Sequence, residues 1–264
     1  MCVIVRERVQ RAASFASRVN ALVVMNTPLN PLASRFDGLL IRMRVLGVDG
    51  FKAKWVAIVL SDGGFERAVL ATSLGELAAR FSDAAAIAVD VPIGSEPDRF
   101  RRVDATARTF VGRRRSSVFA MPPAEVFRVD TYEDACARCR ELTGSAPSKQ
   151  TWELRAKIRE AEEIAAQDAR IIEVHPEVSF RALHGRELAH TKKSWAGQAV
   201  RRAMLARAGI VLPDDLGDAG AAAADDVLDA AIAAWSAERH ARGVSEYIEP
   251  KLMGDDGRAV TIWF

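Results

Sequence analysis

The chain has 264 residues, 49% of them hydrophobic, and a formal net charge of +2. That length can bury a full α/β core in one domain, and so even a charge balance requires neither nucleic acid nor a membrane surface as partner. Three cysteines are too few for a disulfide framework, Cys136 and Cys139 lack the further ligands of a tetrahedral zinc site, and no apolar run reaches the ~18 residues of a membrane span. A soluble, reducing, cytoplasmic setting is expected.

Residues 1–42 carry six arginines, two acids and weak periodicity. The expectation is a poorly ordered N-terminal extension, with a transit peptide or a short helix over Val5 to Val23 as alternatives, followed by a single domain over 43–264. The run ending Val45-Leu46-Gly47-Val48-Asp49, then Trp55 to Leu60, then Phe65 to Leu70, are separated by tight turns and predict three consecutive antiparallel strands. Leu74 to Phe81 has helical periodicity. Ala86 to Asp90 reads as a buried strand stopped at Pro92. Residues 95–150 are arginine-rich and broken by prolines, which predicts an insertion with short helices. A long helix is expected over Trp152 to Ala169, a strand over Arg170 to Val174, and helices near Val178 to Leu183, Ser194 to Ala208 and Ala221 to Arg242. Asp255-Asp256-Gly257 between two short apolar pieces predicts a closing hairpin.

Acidic residues stand at the ends of the apolar runs: Asp49, Asp90 and Glu173, with Asp225, Asp226 and Asp229 opening a late helix. Open α/β sheets put working groups at the carboxyl ends of strands, and carboxylates crowded without basic partners repel one another unless a divalent cation joins them. Each acid also has a plainer reading. Asp49 could cap the turn at Gly50, Asp90 could form a turn before Pro92, Glu173 could be an edge-strand surface residue, and Asp225 could be the N-cap with Asp226 complementing the helix dipole. Asp226 and Asp229, three apart, share a face.

Three antiparallel strands, a helix, a strand, a helix, a strand and an acidic helix is the element order of the RNase H-like fold. Five ordered blocks extend the likeness: Gly47-Val48-Asp49-Gly50, Asp90-Val91-Pro92-Ile93-Gly94, Gly112 to Phe119, Glu173-Val174-His175-Pro176-Glu177 and Asp226-Val227-Leu228-Asp229-Ala230. Together they resemble domain-of-unknown-function family 429, described as predicted RNase H-like nucleases, over roughly residues 44–264. The resemblance implies a mixed sheet flanked by helices and a nuclease cleaving DNA or RNA. It also implies two Mg2+ or Mn2+ ions about 4 Å apart that activate a water and stabilise the departing oxygen. Asp49 matches the first-strand aspartate of that superfamily, and Asp90, Glu173, Asp229 and Asp226 complete the expected metal set.

His175 falls on the same side of an extended strand as Glu173, where it could orient the attacking water or protonate a leaving group; a structural histidine is the alternative. Arg99 to Arg115 holds seven arginines against Asp104 alone, so Arg108, Arg113, Arg114 and Arg115 are candidate phosphate contacts, or a solvated, salt-bridged helix face. Glu177, Lys192 and Lys193 lie in family-like blocks, but spacing assigns them no role. Two rival functions remain: a nucleotide-dependent phosphoryl-transfer enzyme on the same fold, against which Gly47-Val48-Asp49-Gly50-Phe51 lacks a phosphate-cradling turn, and a non-catalytic nucleic-acid-binding module.

Overall fold

The computed structural model describes residues 42–253 and 259–264. The expectations for the N-terminal extension and for the Asp255-Asp256-Gly257 turn lie outside the described residues.

A five-stranded mixed sheet runs in the order β3-β2-β1-β4-β5. Strand β1 (Arg44–Phe51) pairs antiparallel with β2 (Lys54–Ser61), and β2 pairs antiparallel with β3 (Gly64–Ala71). The two connecting turns need left-handed backbone, with Lys52 at φ 52°, Asp62 at φ 50° and Gly63 at φ 82°. Such turns match the twist of the strands they join. Helix α1 (Leu74–Arg80), capped by the Ser73 hydroxyl accepting from Glu76 N, crosses to β4 (Ala86–Val89), which is parallel to β1. Strand β5 (Ile171–Glu173) is parallel to β4. This is the expected mixed α/β sheet.

The insertion between β4 and β5 contains α2 (Arg102–Val111), a 3-10 segment (Gly112–Ser117) and α3 (Tyr132–Thr143). The single helix expected from Trp152 is two, α4 (Lys149–Glu153) and α5 (Arg155–Ala165), meeting at Leu154. The first begins earlier than periodicity suggests because Ser148 caps it, accepting from Thr151 N. Helices α6 (Pro176–His184), α7 (Trp195–Arg207) and α8 (Ala224–Ala241) follow β5, and two short strands, β6 (Leu252–Met253) and β7 (Ala259–Val260), pair antiparallel.

The sheet separates two apolar layers. Leu46, Val48, Trp55, Ile87 and Val89 face α1 and α5, whereas Val45, Ile58, Leu60, Ala86 and Ala88 face α7 and α8. Alternate residues of one strand serve opposite layers, which is why both faces of β1, β2 and β4 read as continuous apolar runs.

Gly47 sets the spacing between β1 and α8. A Cβ there would lie 1.9 Å from Ala234 N and 2.1 Å from Ala230 O, so the helix backbone rests directly on the strand. Two residues beyond Gly47 is Asp49, and one residue before Ala230 is Asp229. This close approach brings a strand acid and a helix acid to one place.

Candidate metal centre

The carboxyl ends of β1, β4 and β5 open onto one cavity of about 490 Å3, lined among others by Asp49, Asp90, Glu173, His175, Asp226 and Asp229. Asp90 follows the last paired residue of β4, and its amide donates to Val48 O at 2.9 Å, which fixes it beside the end of β1. One carboxylate oxygen from each of Asp49, Asp90 and Asp229 lies within 4.8 Å of the others. Asp229 comes to them from the second turn of α8, the helix resting on Gly47.

Burial, then repulsion by Asp90 and Asp229, raises the Asp49 carboxyl well above the usual range. Burial likewise pushes Asp90 and Asp229 up to about 7; Lys192 opposes this for both. The Asp49 carboxylate accepts from Gly50 N at 2.6 Å, and Lys192 Nζ donates to Asp229 Oδ2. Three hard-oxygen donors, raised in pKa first by burial and then by one another's charge, form the kind of donor set that suits Mg2+ or Mn2+.

The acid expected from β5 is held elsewhere. Glu173 lines the cavity, but Arg101 Nη1 and Nη2 donate to its two oxygens at 2.7 Å each, and Ile93 N donates to Oε2 at 2.7 Å. Arg101 also holds Asp104 at 2.6 Å, and all three side chains are buried. Burial raises the Glu173 carboxyl while Arg101 opposes it. Placing Glu173 among metal ligands is therefore corrected: its oxygens are spent on a guanidinium and an amide, and it stands outside the three-aspartate cluster.

His175 is likewise committed. It caps α6, its Nδ1 accepting from Glu177 N at 3.2 Å, while Nε2 pairs with Ser117 O at 3.1 Å. Burial lowers its pKa, which keeps the ring neutral with Nε2–H as donor. Neither nitrogen is left to move a proton, so the structural alternative describes it. Asp226, half-buried in the first turn of α8, lines the cavity mouth. Ala223, not Asp225, is the N-cap, and the cap has no side-chain hydrogen bond.

The arginine segment divides. Arg101 is buried, Arg102 pairs with Glu96 at 2.9 Å, and Arg99 pairs with Asp98 at 2.8 Å. Arg108 Nε donates to Val118 O at 2.9 Å. Arg113 and Arg115 are exposed on the 3-10 segment, with Arg114 between them half-buried, and the following Ser116 to Phe119 line the cavity. The cationic ridge therefore leads to the cavity wall without entering it. Sequence reasoning missed Arg101 as a buried clamp and Lys192 as part of the aspartate cluster.

These observations define an α/β protein with a mixed five-stranded sheet flanked by helices, in which two strand-end aspartates and one helix aspartate gather at a single cavity. The family described as protein of unknown function DUF429 matches residues 47–252, and the chain belongs to that family. No curated protein matches it. Among the described residues, no helix is long and apolar enough to cross a membrane.

Proposed function

We propose that this protein is a divalent-cation-dependent nuclease, hydrolysing phosphodiester bonds of DNA or RNA. The observation that carries the reading is the convergence of Asp49, Asp90 and Asp229 within 4.8 Å, from two strand ends and a helix. These three would hold Mg2+ or Mn2+. The ion, when bound, supplies a Lewis acid for a phosphoryl oxygen and a means of ionising water near neutral pH.

The chain's own residues supply position and charge. Arg101 clamps Glu173 and so fixes the end of β5 against α2. His175 ties β5 to Ser117 and holds the cavity wall. Arg113, Arg114 and Arg115 support a nucleic-acid substrate, because guanidinium forks match phosphate oxygens and the residues that follow these three in the chain, Ser116 to Phe119, line the cavity. Cys136 and Cys139 are free thiols, in keeping with work in the reducing cytoplasm. The test is metal-dependent cleavage of a mixed nucleic-acid panel, with Asp49→Asn as the control.

A further inference from the structure

The segment from α6 to α7 joins three features in chain order. Near its start Arg114 Nη2 donates to Ala189 O at 3.5 Å and Arg113 approaches Glu187 at 3.9 Å, so the cationic ridge borders it. In its middle Lys192 and Lys193 line the aspartate cavity. At its end Trp195 opens α7 and lines a second cavity of about 380 Å3. Helix α8 divides the two cavities, Asp226 and Asp229 lining the first, Val227 and Leu228 the second.

Folding does not account for Trp195. It is 86% exposed, the most of any large hydrophobic residue among those described, so it buries little apolar surface. Its backbone is nevertheless pinned. Ser194 caps α7 by accepting from Gly197 N at 3.1 Å, and a Cβ on Gly197 would lie 1.8 Å from Thr191 O. Just before it, His190 O accepts from the buried Arg201 Nη1 at 3.2 Å. An indole carried on fixed backbone costs a ligand little in ordering.

The second cavity has the size of a small-ligand site and an apolar floor of Leu212, Leu216, Val227 and Leu228. The charged residues of its lining, Arg202 and Asp214, pair at 2.6 Å, so it offers no net charge to a phosphate. A flat, uncharged ring fits it better. The indole can stack on such a ring, and the Gln198 amide, both donor and acceptor, can meet its polar edge. A nucleobase has this chemistry, and the continuity of ridge, aspartate cavity and groove makes a base of the bound strand the occupant. Inside a duplex the faces of a base are covered by its neighbours, so only an unpaired base can enter.

We infer that the second cavity holds an unpaired base of the substrate strand against Trp195, and that the substrate is single-stranded beside the bond it presents to Asp49, Asp90 and Asp229. This rests on the nuclease reading above and narrows its substrate class. Trp195 touches the strand away from the reacting atoms, so it sets affinity and strand preference rather than the chemical step.

The experiment is filter binding by full-length Asp49→Asn protein with Mn2+, alone and carrying Trp195→Ala or Trp195→Phe, each checked for folding by circular dichroism. The probes are oligothymidylate, its duplex with oligoadenylate, and an abasic strand of equal length. Trp195→Ala is expected to weaken binding of oligothymidylate at least about fivefold while leaving duplex and abasic strand unchanged, and Trp195→Phe, which keeps a ring, to retain most of the affinity. Oligothymidylate held equally well without the indole, or an equal loss on the abasic strand, would overturn the inference, and cleavage by wild type would still leave the nuclease reading standing. Wild type that sediments as a dimer, with Trp195→Ala a monomer, would overturn it too by giving the groove to a second copy. No binding of any strand, with wild type inert on all of them, would defeat the nuclease reading and the inference with it.

Discussion

Arg101 grips Glu173 through both carboxylate oxygens, at 2.7 Å each, although 72 residues separate them in the chain. Both side chains are buried, but Arg101 also pairs with Asp104, so loss of the Glu173 charge leaves the guanidinium with one carboxylate and costs less than the about 3–5 kcal/mol of a buried charge left without a partner. Glu173→Gln should therefore lower the denaturant midpoint moderately while leaving Mn2+ affinity close to wild type, as befits a residue outside the ligand set. A stable variant that no longer binds Mn2+ would return Glu173 to the ligands.

Gly47→Ala is expected to be severe for so small a change. The added methyl meets helix backbone at 1.9 Å, which cannot rotate away, and overpacking of this kind costs at least ~2 kcal/mol. Because the same close approach sets the distance from Asp49 to Asp229, any folded fraction should also bind metal more weakly. A thermal melt and a Mn2+ titration matching wild type would show that β1 and α8 are not held this tightly.

The pH dependence of the metal-free protein follows from the aspartates. Burial raises Asp90 and Asp229 to about 7, so the folded state keeps protons that the unfolded chain, with ordinary carboxyls, has already lost. Stability contributed by these groups is therefore greatest in acid and falls as pH rises from about 4 to about 7. In EDTA, Asp90→Asn should show a shallower decline, because Asp229 still titrates but Asp90 no longer does, so its melting temperature gains on wild type between about pH 5 and 7.5. Mn2+ affinity should strengthen over the same interval, since the ion displaces those protons. A wild-type-to-variant difference that stays flat across the window would contradict this account.

Much of the fold and part of the centre were legible in the sequence, for physical reasons that also explain the failures. Asp49 and Asp90 end buried strands, and an acid at the end of a fully apolar run has few other places to go. Asp229 follows from helical spacing next to a core stripe. Glu173 carried the same local signal as Asp90, yet its partner lies in an arginine-rich stretch that composition marks as surface, and no local pattern reveals a pairing across 72 residues. His175 has the spacing of a site residue because it caps α6 at the site's edge. Lys192 sits in a polar loop whose placement depends on Arg201 and Gly197, tertiary interactions with no periodic signature.

The exposed arginines make a separate prediction. Among the described residues, Arg113 and Arg115 make no close ion pair, the Arg113–Glu187 approach being 3.9 Å between largely exposed groups. In the Asp49→Asn background, which prevents turnover, replacing Arg113, Arg114 and Arg115 by alanine should flatten the salt dependence of oligonucleotide binding, by roughly one unit of log–log slope for each phosphate that is no longer neutralised. An unchanged slope in filter binding would make these residues an ordinary solvated surface.

The central claim is that Asp49, Asp90 and Asp229 hold a divalent cation for phosphodiester hydrolysis, and the most direct measurement is cleavage by wild type and Asp49→Asn. The panel spans single-stranded, duplex, hybrid and branched DNA and RNA, with Mg2+, with Mn2+ and with EDTA. Asparagine keeps the shape of Asp49 but removes a charge and relieves repulsion in the cluster, so the variant should fold with an unchanged or raised melting temperature without metal. The account predicts cation-dependent cleavage of at least one substrate by wild type, absent in EDTA and lost in Asp49→Asn. Cleavage that persists in the folded variant, or wild type inert on the whole panel with either ion, would contradict it.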